Sequence, residues 1–106
     1  MTKTDLKTPD FPAPRWLTRA EKAEFHRVIS IRKAAGNPVS EADIPPICDL
    51  ISARSRIAVL RGLFKRAVID CRESDFTSSQ RHLLAIGRDI DKATAAAQKM
   101  AARLGV

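Results

Sequence analysis

LISARSRIAVLRGLFKRAVIDC, residues 50 to 71, carries its apolar side chains at Leu50, Ala53, Ile57, Leu60, Phe64, Ala67 and Cys71. The spacing alternates strictly between three and four. A strand would need alternation by two, whereas this pattern lays all seven on one stripe of a helix, through about three heptads of a coiled-coil seam. Between Leu50 and Ile69 there is no acidic residue, yet Arg54, Arg56, Arg61, Lys65 and Arg66 all occur, none of them on the stripe. The exposed side of this helix is therefore expected to be uniformly positive.

Downstream, residues 73 to 77 break the pattern, and Thr77 with Gln80 reads as a capping box for a further helix. Its stripe is Leu83, Ile86, Ile90, Ala93, Ala97, Met100 and Leu104, with the same alternation. Two long helices joined by so short a break should run antiparallel. Folding about residue 75 sets Gly62 and Gly87 at nearly the same height. Glycine inside a helix costs ~1 kcal/mol against alanine, so close helix approach, a bend or a contact with a neighbouring subunit is expected to offset it. Ala95, Ala96, Ala101 and Ala102 fall beyond the stripe and make a smooth second surface, through which copies are expected to assemble side by side.

Upstream, Ser40 is a candidate N-cap with Asp43 three positions on, and Pro45 and Pro46 are tolerated only in a first helical turn. Thr18 and Glu21 form a capping box, Trp16 or Leu17 supplies a hydrophobic staple, and Gly36 stands where a left-handed C-cap belongs. The helix between them has Phe25, Val28 and Ile29 on one stripe and a basic flank of Arg19, Lys22 and Arg32. Residues 1 to 14 lack periodicity, contain Pro9, Pro12 and Pro14, and read as a flexible arm. The expected fold is all-α. A short helix over residues 18–35 precedes a long antiparallel helical hairpin with helices over 44–72 and 78–104, making a single domain over 15–106 that assembles side by side into an oligomer.

Composition limits the chemistry. The 106 residues carry 19 Lys and Arg against 12 Asp and Glu, a formal charge of +7 and a pI near 10.1, which favours polyanionic partners. Cys48 and Cys71 are 23 positions apart in one expected helix, so about 34 Å separates them and they cannot bridge. Two unpaired thiols, no N-terminal apolar signal and no run of ~20 apolar residues point to a cytoplasmic protein without a membrane partner. The four glycines form no phosphate-cradling loop, which excludes nucleotide hydrolysis. His26 and His82 lack metal-ligand spacing, and neither Asp89 with Asp91 nor Glu21 with Glu24 makes an acid and base couple. No catalytic residue, metal or cofactor is expected.

The charged residues are more informative. Arg54, Arg56, Arg61, Lys65 and Arg66 on helix 2, and Arg15, Arg19, Lys22, Arg32 and Lys33 around helix 1 beside Trp16, are the candidate contacts to nucleic-acid phosphates. Nothing presents a base-reading helix, and the paired prolines and the length of helix 2 fit a helix-turn-helix poorly. The competing reading is a helical interaction module whose basic face meets an acidic protein partner.

The order of features, Pro14-Arg15-Trp16-Leu17-Thr18 opening helix 1, the Gly36 break, Ser40 to Asp43 opening the next helix, a long hairpin and Leu104-Gly105, resembles the small terminase subunits of tailed phages, including prophage and gene transfer agent versions. The resemblance spans residues 14 to 106 and rests on short motifs. It implies a helical, ring-forming homo-oligomer in the cytoplasm of a bacterial host. Such a protein binds double-stranded DNA for packaging and regulates a separate large terminase subunit that holds the ATPase and nuclease. Two departures stand out: residues 73 to 77 replace a longer glycine-containing connection, and no Pro-containing tail follows Leu104-Gly105. The resemblance then leaves docking of the large subunit to another surface, such as the arm at 1 to 14.

Overall fold

The computed structural model describes residues 11 to 73 and 77 to 106. Among them the chain is all-helical and contains no strand: α1 is Arg19–Ala34, a 3-10 turn covers Glu41–Asp43, α2 is Ile44–Glu73 and α3 is Thr77–Leu104. The expected break at 73 to 77 centres on residues 74 to 76, outside the described residues, as does the side chain of Thr77 that was to cap α3. Most of the expected flexible arm lies outside them as well. Its last part is tied down, because Phe11 and Ala13 are partly buried against the core and a phenyl ring gains by leaving water.

Local chemistry sets the ends of α1. The Glu21 amide donates to Thr18 Oγ1 at 3.1 Å and the Thr18 amide donates to Glu21 Oε1 at 2.8 Å, so two otherwise unsatisfied donors are met reciprocally. At the other end Gly36 adopts φ +78°, its amide donates to the Lys33 carbonyl, and the Asn37 amide donates to the Arg32 carbonyl at 2.9 Å. This is a Schellman cap, and it needs a residue that takes positive φ without strain. Leu104-Gly105 ends α3 in the same way: Gly105 has φ +74°, its amide reaches Ala102, and the Val106 amide reaches Ala101 at 3.0 Å. Val106 then packs against the core, the apolar contact that accompanies such caps.

Of the two staple candidates, Leu17 is buried in the core cluster, while Trp16 is 66% exposed. The two adjacent side chains cannot both turn inward from the short segment before Thr18, and the aliphatic one does.

α1 packs on the first half of α2, and α3 packs along α2. Phe25, Val28 and Ile29 of α1 meet Ile47, Cys48, Leu50, Ile51 and Ile57 of α2 and Ala97, Ala101 and Leu104 of α3 in one cluster, closed by Leu17 and Val39. Beyond it α2 and α3 continue without α1, with only Ala67 and Ile86 buried among the described residues. The molecule measures 64 × 24 × 20 Å and its radius of gyration is 18.3 Å, against about 13 Å for a compact chain of this length. Neither mid-helix glycine is required by contacts within the chain. A Cβ on Gly87 would meet the Phe64 ring at an ordinary 3.6 Å, and one on Gly62 would meet nothing.

Candidate nucleic-acid interface

The basic residues singled out by the sequence divide into three groups in the structure. Arg32 belongs inside. Its Nε donates to the Asn37 carbonyl at 3.1 Å and its Nη1 lies 3.3 Å from Asp43 Oδ2, with the side chain only 7% exposed. Asp43 Oδ2 also accepts from the Ser40 amide and hydroxyl at 2.9 and 3.1 Å. Arg32 therefore ties the end of α1 to the start of α2, and its place among the phosphate contacts and on the basic flank of α1 is corrected. A buried guanidinium satisfied on two sides has no route to a polyanion.

Arg54 is shared. Its Nη1 donates to Glu24 Oε1 at 2.8 Å, while Glu24 also takes both of its own oxygens to Arg27 Nη2 at 2.8 and 2.9 Å. Hydrogen bonding from Arg27, then the charges of Arg27 and Arg54, hold the Glu24 carboxyl below its ordinary range. One turn away, Ser55 Oγ donates to Glu21 Oε2 at 2.8 Å. The Thr18 backbone amide foremost, then Ser55, depress the Glu21 carboxyl as well. These two carboxylates clip α1 to α2.

Arg15, Arg19, Arg56, Arg61, Lys65 and Arg66 are exposed, and Lys22 and Lys33 are half-buried. Among the described residues Arg56, Arg61 and Lys65 form no ion pair. Helical spacing of seven and four aligns Arg54, Arg61 and Lys65 along one flank of α2. Arg54 and Arg61 border a groove of about 350 Å³ between α2 and α3, together with Ile57, Thr94, Ala97 and Gln98. Arg66 lies on the opposite side of the seam, in a groove it shares with His82, Asp70 and Asp89. The expectation of one uniformly positive side is corrected accordingly: the basic stripe of α2 is split by α3, and acidic side chains accompany its Arg66 end.

Of the four alanines expected to join copies, Ala95, Ala96 and Ala102 are exposed. Ala101 is buried in the core cluster of its own chain and is removed from that surface. It precedes Leu104 by three positions, so it shares the inward stripe of α3.

Sequence reasoning missed Thr94 and Gln98, which share a groove wall with the α2 arginines, and Glu24, which neutralises one of them. The i, i+3 and i+4 relation of Glu24 to Arg27 and of Thr94 to Gln98 was visible, but their facing α2 depends on the tertiary pairing. Cys48 is buried, and its thiol is pushed up by burial and by the neighbouring Asp49 charge, which keeps it a protonated core group. Cys71 is half-buried and both thiols are free. Among the described residues no helix is long and apolar enough to cross a membrane. No protein-family model, curated protein or solved structure matches the chain.

Proposed function

We propose that this chain is a DNA-binding small terminase subunit: an antiparallel helical hairpin with a docked N-terminal helix, which assembles into a homo-oligomeric ring, recruits double-stranded DNA and regulates a separate large terminase subunit during packaging. The observation that carries the DNA-binding part is the row of Arg54, Arg61 and Lys65 along α2, of which Arg61 and Lys65 have no ion-pair partner among the described residues. Two free cations about 6 Å apart, extended to about 16 Å by the paired Arg54, match a polyanion better than a scatter of surface charge does. Arg15, Arg19 and the exposed Trp16 extend the positive surface at the start of α1. The terminase assignment itself leans on the order of sequence motifs. Assembly is supported by large apolar side chains left in water beyond the end of α1, Val59 at 62%, Leu63 at 49% and Leu84 at 62% exposure.

A gel-shift or anisotropy titration against unrelated duplexes tests this. Affinity should be similar across sequences and fall with salt at a log-log slope of about −4 to −6. Absence of a complex at low salt would overturn it. Replacing Arg61 and Lys65 with Glu should abolish the complex; if instead it abolishes only capture of an acidic protein, the chain is an interaction module.

A further inference from the structure

The groove between α2 and α3 contains an oddity. Thr94 Oγ1 is fully covered and has no hydrogen-bond partner at all. A buried hydroxyl without a partner destabilises the chain that carries it, and a threonine in a helix usually avoids this by bonding a carbonyl of the preceding turn. Thr94 lines the groove with Gln98 one turn on, and Arg54 and Arg61 stand on the facing wall, seven positions and so about 10 Å apart along α2. Long side chains rooted at that distance can converge on one point between them. Ala97 and Ala101 project no more than a methyl group each, which leaves the space of about 350 Å³ open above Ile57.

We infer that this groove is a binding site for a phosphate group. Arg61, which is exposed and has no ion pair among the described residues, supplies the primary charge. Gln98 donates its amide, and Arg54 joins from the edge of its pair with Glu24. A threonine on a helix divides between two χ1 rotamers. Rotation about the Cα–Cβ bond carries the Thr94 hydroxyl out of its covered position to donate to a phosphate oxygen, which gives the orphaned group its partner. The unfavourable burial in the empty protein is then the counterpart of a bond made only with ligand present. The source of the phosphate, a nucleic-acid backbone, rests on the DNA-binding reading above; the groove itself does not.

The test uses the full chain and two probes, inorganic phosphate and a short DNA duplex, followed by the amide and methyl signals of Thr94 and the Nε–H signal of Arg61. Phosphate should move all three, and the duplex should move them too and displace the phosphate. Thr94→Val should raise the unfolding temperature, by removing the unpartnered hydroxyl, while weakening phosphate binding about tenfold, the worth of a charge-assisted hydrogen bond. A structural threonine would not give those opposite signs. Arg61→Gln, at an exposed site, should weaken binding at least as much with no change in fold, and serves if the valine variant does not fold. If phosphate saturates the groove but the duplex neither moves these signals nor displaces it, the groove takes a free phosphate ligand and its assignment to a nucleic-acid backbone is overturned, while DNA binding itself fails only if the duplex forms no complex in the gel shift. If the duplex binds while Thr94 and Arg61 stay silent to both probes, DNA binding stands and the groove assignment is overturned. Unchanged phosphate affinity in Thr94→Val overturns it as well.

Discussion

Arg32 and Arg54 bear the same guanidinium, and their surroundings give them different roles. Arg32 bridges the Asn37 carbonyl and Asp43 in a buried position, so Arg32→Ala leaves the Asn37 carbonyl without its side-chain donor and the Asp43 carboxylate without its counter-charge, though still held by Ser40. We expect a loss of roughly 1 to 3 kcal/mol in urea unfolding, with DNA affinity of the folded protein unchanged. Lysine at this position should recover little, because a point charge cannot serve the two acceptors from one planar fork. A fall in DNA affinity without a fall in stability would return Arg32 to the interface. Glu24 holds Arg54 at 2.8 Å, so under the proposed DNA binding a phosphate has to displace that carboxylate. Glu24→Gln should therefore steepen the salt dependence of DNA binding by about one phosphate contact. Glu41→Gln removes the same charge from the exposed 3-10 turn and should do less; equal slopes for both variants would sink the competition. Trp16 and Leu17 form a third contrast, since only Leu17 is buried. Leu17→Ala should cost about 2 to 4 kcal/mol, and Trp16→Ala close to nothing.

At the scale of elements, α1 is attached by a few apolar side chains and by carboxylates, which makes its docking sensitive to acid. Glu21, Glu24 and Asp43 all titrate below their ordinary values, chiefly through the Thr18 amide, Arg27 and the Ser40 amide respectively. Groups whose folded pKa is depressed contribute stability that is complete above the unfolded carboxylate range, near ~4, and is lost as pH falls through the folded values. Amide exchange in α1 should thus accelerate below pH ~4 before that of α2 does, and a Glu21→Gln, Glu24→Gln double variant should show a smaller acid response. Uniform loss across all helices would contradict a separately docked α1. Much of this arrangement was legible in residue spacing. Thr18 with Glu21, Gly36 and Leu104-Gly105 act over a few positions, and the caps they form are set by the local backbone. Every position of the stripes of α2 and α3 named from three-and-four spacing is buried or half-buried, but the stripes left out Ile47, Cys48, Ile51 and Ala101, which are buried as well. What spacing could not supply was the azimuth of one helix against another. Ala101, three positions before Leu104, was readable as core from spacing, whereas Arg61 and Arg66 reach different grooves because α3 runs between them.

At the scale of the molecule, the shape itself bears on assembly. A rod 64 Å long and little over 20 Å wide has one well-filled end, where three helices meet, and one end where two helices share a thin seam. Two helices alone cannot enclose their apolar side chains, and Val59, Leu63 and Leu84 remain in water at that end. Side-by-side packing of copies would cover them, with Ala95, Ala96 and Ala102 allowing close approach along α3. A solitary chain should scatter X-rays with a radius of gyration near 18.3 Å at every concentration. We expect instead a mass above that of one chain by light scattering at micromolar concentration, and a radius that grows until a closed particle forms. Leu63→Glu and Leu84→Glu place charges on exposed sites and leave the core of the single chain untouched, so they should return the protein to the monomer mass with its helicity intact. If the proposed assembly presents the weak phosphate contacts of several copies together, the same variants should lower apparent DNA affinity by about 10²-fold or more without removing a single basic residue. A stable monomer mass in the unsubstituted chain, at all concentrations and with undiminished DNA binding, would leave the exposed leucines without a partner copy and the ring without a basis.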